Sequence, residues 1–182
     1  MLGFKNGILA FNAKKCKRTE TVLWYTVSMQ TFNIVLIEPE IPPNTGNIAR
    51  LCAATGATLH LVGKLGFSID DRYLKRAGLD YWDKVDLKQW ENLEQLQQQH
   101  PAGRFWYLST KVARNCFEAG IYQAGDFLVF GKETAGLPSE LLAAHPGQCL
   151  TIPMPGQVRS LNLSNAVAVV LYEALRQTGQ LG

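Results

Sequence analysis

Three stretches concentrate the residues able to do chemistry: "PNTGNIAR" (43–50), "FGKETAGLP" (130–138) and "IPMPGQVRSLNLSN" (152–165). The first carries Arg50, the second Lys132 and the one carboxylate of the three, Glu133, and the third Arg159. Amides and hydroxyls, among them Asn44, Thr134, Ser160 and Asn162, accompany them. No histidine or cysteine lies in them, so neither a nucleophile–base pair nor a metal cage is suggested. The set suits positioning and charge stabilisation of a polar ligand. The glycine patterns of an ordinary nucleotide site, GxGxxG or GxxxxGK[ST], are absent. Each residue also has a plainer reading. Arg50 also reads as a surface helix arginine, though its place in a helix after a glycine loop favours a role; Glu133 reads equally as a cap on turn amides; and Ser160 and Asn162, taken alone, read first as caps of the last helix.

The elements that must hold these stretches alternate in type. Strands are expected at 32–38, 58–63, 84–88 (weakly), 104–109, 126–131 and 148–153. Helices are expected from Asn44 to Thr55, closed by Gly56; from Ser68 through Lys75 and Arg76; over 90–99 with Trp90, Leu93 and Leu96 on one stripe; from Pro138 to Ala144; and over 162–179. The alternation predicts an α/β domain, a mostly parallel sheet with helices on both faces. Ligands bind such folds beyond the carboxyl ends of the strands, where the three stretches fall. Trp90, Trp106 and Tyr107 are expected in the core, while Tyr81 and Trp82 stay open between core and base-stacking surface.

Charge divides unevenly. Residues 1–28 hold Lys5, Lys14, Lys15, Lys17 and Arg18 against Glu20, so the net charge of +3 leaves residues 29–182 at −1. A nucleic-acid partner must therefore be met by a local patch. Residues 1–28 show no period and read as a disordered N-terminal extension, with 29–182 as a single domain. No apolar run is long enough to span a membrane. Cys16, Cys52, Cys116 and Cys149 are scattered without a CxxC pair, which reads as reduced thiols in a cytoplasmic protein, with no metal.

The three stretches, in this order and spacing, resemble the three motifs of the SPOUT superfamily of RNA methyltransferases, in its TrmH-like branch of ribose 2′-O-methyltransferases. The resemblance covers about residues 32–178. It is closest to the small single-domain enzymes that methylate the wobble nucleotide, cytidine or uridine 34, of tRNA. The resemblance implies a C-terminal trefoil knot, S-adenosylmethionine as cofactor, a homodimer, and a tRNA anticodon stem-loop as partner. It makes Arg50 catalytic, Asn44 a structural or substrate-contacting residue and Glu133 an active-site support. Leu108, Thr110, Gly131, Ile152, Met154, Ser160 and Asn162 match the cofactor loops. Tyr172 and Glu173 fall where the family places dimer and substrate contacts. RNA contacts are expected from Arg72, Lys75 and Arg76, with Lys111, Arg114 and Lys132 in loops nearby. The second motif usually reads Pro-Glu-Thr-Arg-Gly-Leu, and this chain has Lys132 and Ala135 in place of the proline and arginine. The last helix, with Leu163, Val167, Val170, Leu171, Ala174 and Leu175, carries more apolar surface than one side of a sheet needs, which points to the dimer. The alternatives are a ribosomal-RNA ribose methyltransferase of the same superfamily and a non-catalytic RNA-binding knot.

Overall fold

The computed structural model describes residues 31–68 and 84–181. The expected helix through Arg72, Lys75 and Arg76, together with Tyr81, Trp82 and the N-terminal extension, lies outside the described residues. The elements are β1 (Asn33–Ile37), α1 (Pro42–Thr55), β2 (Thr58–Val62), β3 (Leu87–Trp90), α2 (Leu93–Gln99), β4 (Phe105–Leu108), β5 (Phe127–Phe130), α3 (Ser139–Ala144), β6 (Cys149–Leu150) and α4 (Leu163–Gln177).

Among the described residues, six strands form one sheet in the order β3-β2-β1-β5-β4-β6, and every pairing between them is parallel. Successive side chains on a strand point to opposite faces, and both faces are apolar. Ile34 and Leu36 enter one core with Ile48 and Cys52 of α1 and Val167, Val170 and Leu171 of α4. Val35 enters a second core with Leu93 and Leu96 of α2 and Leu142 of α3. Helices therefore cover both sides, as the alternating elements predict. From β1 the chain builds outward to β2 and β3 on one side and returns on the other with β5 and β4. That reversal leaves a crevice at the carboxyl ends of the strands.

Several boundaries differ from the expectations. The prolines that read as a turn before α1 are its first turn. Pro42 and Pro43 have no amide hydrogen to satisfy, and the Asn44 amide donates to the Ile41 carbonyl at 3.0 Å, so Ile41 can stand at the N-cap without a capping side chain. Gly56 closes the helix with φ +71°, as expected. β3 begins at Leu87 and runs on to Trp90, which is therefore a strand residue and not part of the helical stripe. Asn92 takes the cap of α2 instead, accepting from the Gln95 amide at 2.8 Å. The last strand is confined to Cys149–Leu150. Beyond it, Thr151 forms a parallel bridge with Asn115, which lays the chain after β6 against the β4–β5 connection. The apolar residues of α4 are already covered by this chain's own sheet and α1: Val167, Val170, Leu171 and Ala174 are fully buried. Their number thus reflects a helix packed on its own domain, and it carries no argument for a partner.

Trp90 has a polar role that explains its place. Its Nε1–H donates to His60 Nδ1 at 2.9 Å, and an indole nitrogen can only donate. His60 must then carry its proton on Nε2, which meets Asn33 Oδ1 at 3.1 Å. The imidazole is fully buried and neutral, and burial, with nearby Lys88 and His100 adding to it, pushes its pKa from 6.5 down to about 4. Below pH ~6.5 the unfolded chain takes up a proton that the folded chain refuses, so stability falls as pH drops from 6.5 towards 4, by on the order of 2–3 kcal/mol. Urea unfolding at pH 7.5 and 4.5 should show this loss. His60→Gln should be less stable at pH 7.5 but have a flatter pH profile, and parallel profiles for the two proteins would contradict the assignment.

Candidate active site at the carboxyl ends of the strands

The loops that leave β1, β4, β5 and β6 meet around a cavity of about 570 Å³. That volume lies within the ~300–1,000 Å³ range of small-molecule sites. Its lining includes every residue matched to the cofactor loops: Leu108, Thr110, Gly131, Ile152, Met154, Ser160 and Asn162. Asn44 and Glu133 line it as well. Arg50 is exposed on α1 and is not part of the lining, and neither is Tyr172, which is 48% exposed on α4. Glu173 is engaged within its own helix, accepting from Arg176 at 2.8 Å and from Gln177 at 2.7 Å. The Arg176 guanidinium holds its carboxyl below the usual range. Sequence reasoning missed Ile41, Arg159 and Leu161, which also line the cavity. Ile41 and Leu161 look like loop residues in sequence, and only the fold turns them towards a cavity.

Glu133 ties the three stretches together. Its Oε2 accepts the Glu40 amide at 2.9 Å, and its Oε1 accepts the Ile41 amide at 3.2 Å and Asn44 Nδ2 at 3.0 Å. A carboxylate at the N-terminus of α1 also meets the positive end of the helix dipole. Because an ionised carboxylate only accepts, Asn44 must present its nitrogen to Glu133 and its oxygen away. That oxygen accepts Asn162 Nδ2 at 2.9 Å. Asn162 then has its own oxygen free to cap α4, accepting the Ser164 amide at 2.9 Å and the Ser164 hydroxyl at 2.7 Å. For Glu133 and Asn162 the plainer capping roles and the site-building roles coincide. Ser160 caps nothing and faces the cavity.

The glycines of the second stretch serve a close backbone crossing. A Cβ on Gly131 would sit 2.2 Å from the carbonyl carbon of Gly136, far inside any tolerable contact. The Gly136 amide donates to the Lys132 carbonyl at 2.9 Å and closes the turn, and Gly136 itself has φ +68°. The bare Gly131 thus lets the strand end and the returning backbone at Gly136 and Leu137 pack directly against each other beside the cavity. The lining fits an adenosyl cofactor: apolar Leu108, Ile152 and Met154 can pack on a purine, and the polar Asn44, Ser160 and Asn162 stand beside them. Gly131→Ala should therefore damage the site through the backbone, not by filling it. The expected cost is roughly 1–3 kcal/mol of stability and about tenfold or more in S-adenosylmethionine affinity. Calorimetry and thermal unfolding measure both, and Gly131→Leu should abolish binding. Unchanged binding in either variant would rule out this placement.

Comparisons with known proteins agree with the geometry. The model of the SpoU rRNA Methylase family matches residues 31–172. A tRNA (cytidine(34)-2′-O)-methyltransferase of Yersinia pestis is 53% identical over 157 residues, covering 82% of this chain and 96% of that one. A solved structure concerned with 2-OH methylation of C/U34 on tRNA superposes with a TM-score of 0.77 at 46% identity, covering 81% of this chain and 96% of its own. An AdoMet-bound rRNA methyltransferase from Sinorhizobium meliloti superposes with a TM-score of 0.72 at 27% identity, covering 80% of this chain and 56% of its own. With a cavity walled by the matched loops and a family match over most of its length, this chain belongs to the SpoU methylase family.

Proposed function

We propose that this chain transfers a methyl group from S-adenosylmethionine to the ribose 2′-hydroxyl of the wobble nucleotide, cytidine or uridine 34, of tRNA in the cytoplasm. The observation that carries the reading is the cavity itself. Its walls are the loops after β4, β5 and β6, joined to the start of α1 by Glu133, in a chain about half identical to a tRNA (cytidine(34)-2′-O)-methyltransferase over nearly that enzyme's full length. The cofactor, when bound, supplies an electrophilic methyl carbon on a sulfonium. Leu108, Gly131 and Ile152 hold it at the strand ends, with Thr110, Met154, Ser160 and Asn162 around it. Lys111 and Arg159 give the rim a positive bias that suits RNA phosphates.

The remaining task is to align the 2′-oxygen and relieve it of its proton. Glu133 is the one carboxylate in the lining, and its two oxygens already accept three donors, so it serves as a clamp and not as the base. Arg50 is assigned to the hydroxyl. A guanidinium stays protonated, so its role is to hold an RNA phosphate that in turn positions and activates the 2′-hydroxyl. Arg50 is exposed outside the cavity wall of its own chain, which supports a homodimer in which the exposed sides of α1 and α4, with Ile41 (42% exposed) and Tyr172, lie near the interface. The knot implied by the family would lie where the segment after β6 meets the β4–β5 connection.

Labelled methyl from S-adenosylmethionine should enter bulk tRNA as an alkali-resistant linkage mapping to position 34. Label in ribosomal RNA, or on a base, would overturn the reading. Arg50→Ala should leave cofactor binding nearly intact but lower the single-turnover rate by roughly 10²–10⁴-fold, with Arg50→Lys recovering little. Near wild-type turnover at saturating RNA would make Arg50 a docking residue only. Light scattering at micromolar concentration should give a dimer mass, and a fully active monomer would contradict the assembly.

A further inference from the structure

The segment between β1 and α1 is held by more than Glu133. Three consecutive side chains of the second stretch grip it. Lys132 forms an ion pair with Glu38, Glu133 takes the amides of Glu40 and Ile41, and Thr134 donates its hydroxyl to Glu40 Oε2 at 2.7 Å. Glu38 has φ +46° and is the one non-glycine residue with positive φ among the described residues. Such a backbone costs free energy for a side chain with a Cβ, and it persists only where the surroundings impose it. The surroundings here are built for it. The Glu38 amide donates to the Val62 carbonyl at 2.8 Å, and Gly63, at φ +78°, leaves the room that Glu38 Cγ occupies, since a Cβ there would come within 2.8 Å. Glu38 and Lys132 are each about a third exposed, too wet for their attraction to matter much to stability. A strained backbone that secures an ion pair of little stabilising value calls for another explanation.

We infer that Glu38 is a positioning residue for methyl transfer: paired with Lys132, it locks the cofactor-side turn 131–136 to the segment that leads into α1, and so sets the register between cofactor and the RNA-binding side of the site. The inference rests on the function proposed above. Lys132 lies on the cavity wall, while Glu38 does not. The turn keeps its own closing hydrogen bond from Gly136 to Lys132, so it survives loss of the pair as a cofactor-binding element. What loosens is its alignment with α1, which carries Asn44 and Arg50 and is then held to the turn by the Glu133 and Thr134 contacts alone. Glu38 and Glu40 both raise the pKa of Lys132, so the amine stays charged throughout the working range. The lysine at this position, where the family motif usually has proline, is thereby given a partner that proline could not engage.

The test uses Glu38→Gly, Lys132→Met and the double variant, with single-turnover methyl transfer to tRNA at saturating cofactor and RNA, cofactor calorimetry and thermal unfolding. Each single change should lower the rate by roughly ten- to a hundredfold, the range expected for misalignment of reacting groups. The double variant should be no slower than the worse single, because both remove one interaction. Cofactor affinity should hold within about threefold in all three, since the turn itself is intact. Glycine adopts positive φ freely, so Glu38→Gly should hold or raise Tm while it loses rate. That opposition is what a merely structural residue would not show. Unchanged rates, losses that multiply in the double variant, or a Tm that falls in step with the rate would each overturn the positioning role. A wild-type chain that methylates no RNA would sink the functional reading and the positioning role together, whereas an active wild type with unaffected variants overturns the positioning role alone.

Discussion

One carboxylate, that of Glu133, sets the geometry from which the rest of the site follows. It sits on the loop after β5 and accepts two amides and one side-chain amide from the chain after β1. Because it offers only acceptors, it dictates which way Asn44 turns, and Asn44 then dictates which way Asn162 turns. The orientation passes through two amides to the cap of α4. Side-chain hydrogen bonds spanning 89 and 118 residues of sequence join these loops into one rim. In a partly buried place such a chain of hydrogen bonds is worth keeping whole, since an unpaired member costs about 1–3 kcal/mol.

The sheet makes that rim possible. Six parallel strands place all their carboxyl ends on one side, and two apolar cores hold them there. Loops leaving one edge of a stiff slab need only short polar contacts to define a cavity. The prolines at the start of α1 fit the same logic: they remove donors that would otherwise compete for Glu133. The contact of Gly131 with Gly136 does so as well, because it lets a five-residue return stay close enough to the rim for Lys132, Glu133 and Thr134 to face the chain after β1.

Much of this was readable in the sequence because it is local or periodic. Short apolar runs such as "NIVLI" and "FLVF", rich in β-branched and aromatic residues and bounded by turn signals, read as strands buried on both faces, and the alternation with helices then implies the parallel sheet. The lining residues were reachable because Leu108, Gly131 and Ile152 end or follow strands. What was not legible depends on contacts between distant residues. Trp90 reads as the start of a helical stripe until His60, thirty residues earlier, is seen to need its indole proton. The apolar face of α4 reads as an interface until its own sheet and α1 are seen to cover it. The partner of Lys132 is Glu38, just past the end of β1, which neighbours β5 in the sheet but lies far from it in sequence, and no spacing rule connects them.

The most direct test of the account is Glu133→Gln, which keeps size and removes one acceptor oxygen. Three donors then face one oxygen and one amide nitrogen, so at least one donor is left opposed. The account predicts that single-turnover methyl transfer at saturating cofactor and RNA falls by at least about tenfold, with unfolding free energy reduced by roughly 1–3 kcal/mol. A Glu133→Gln protein with wild-type rate and wild-type stability would show that the carboxylate does not organise the site, and the account would fail.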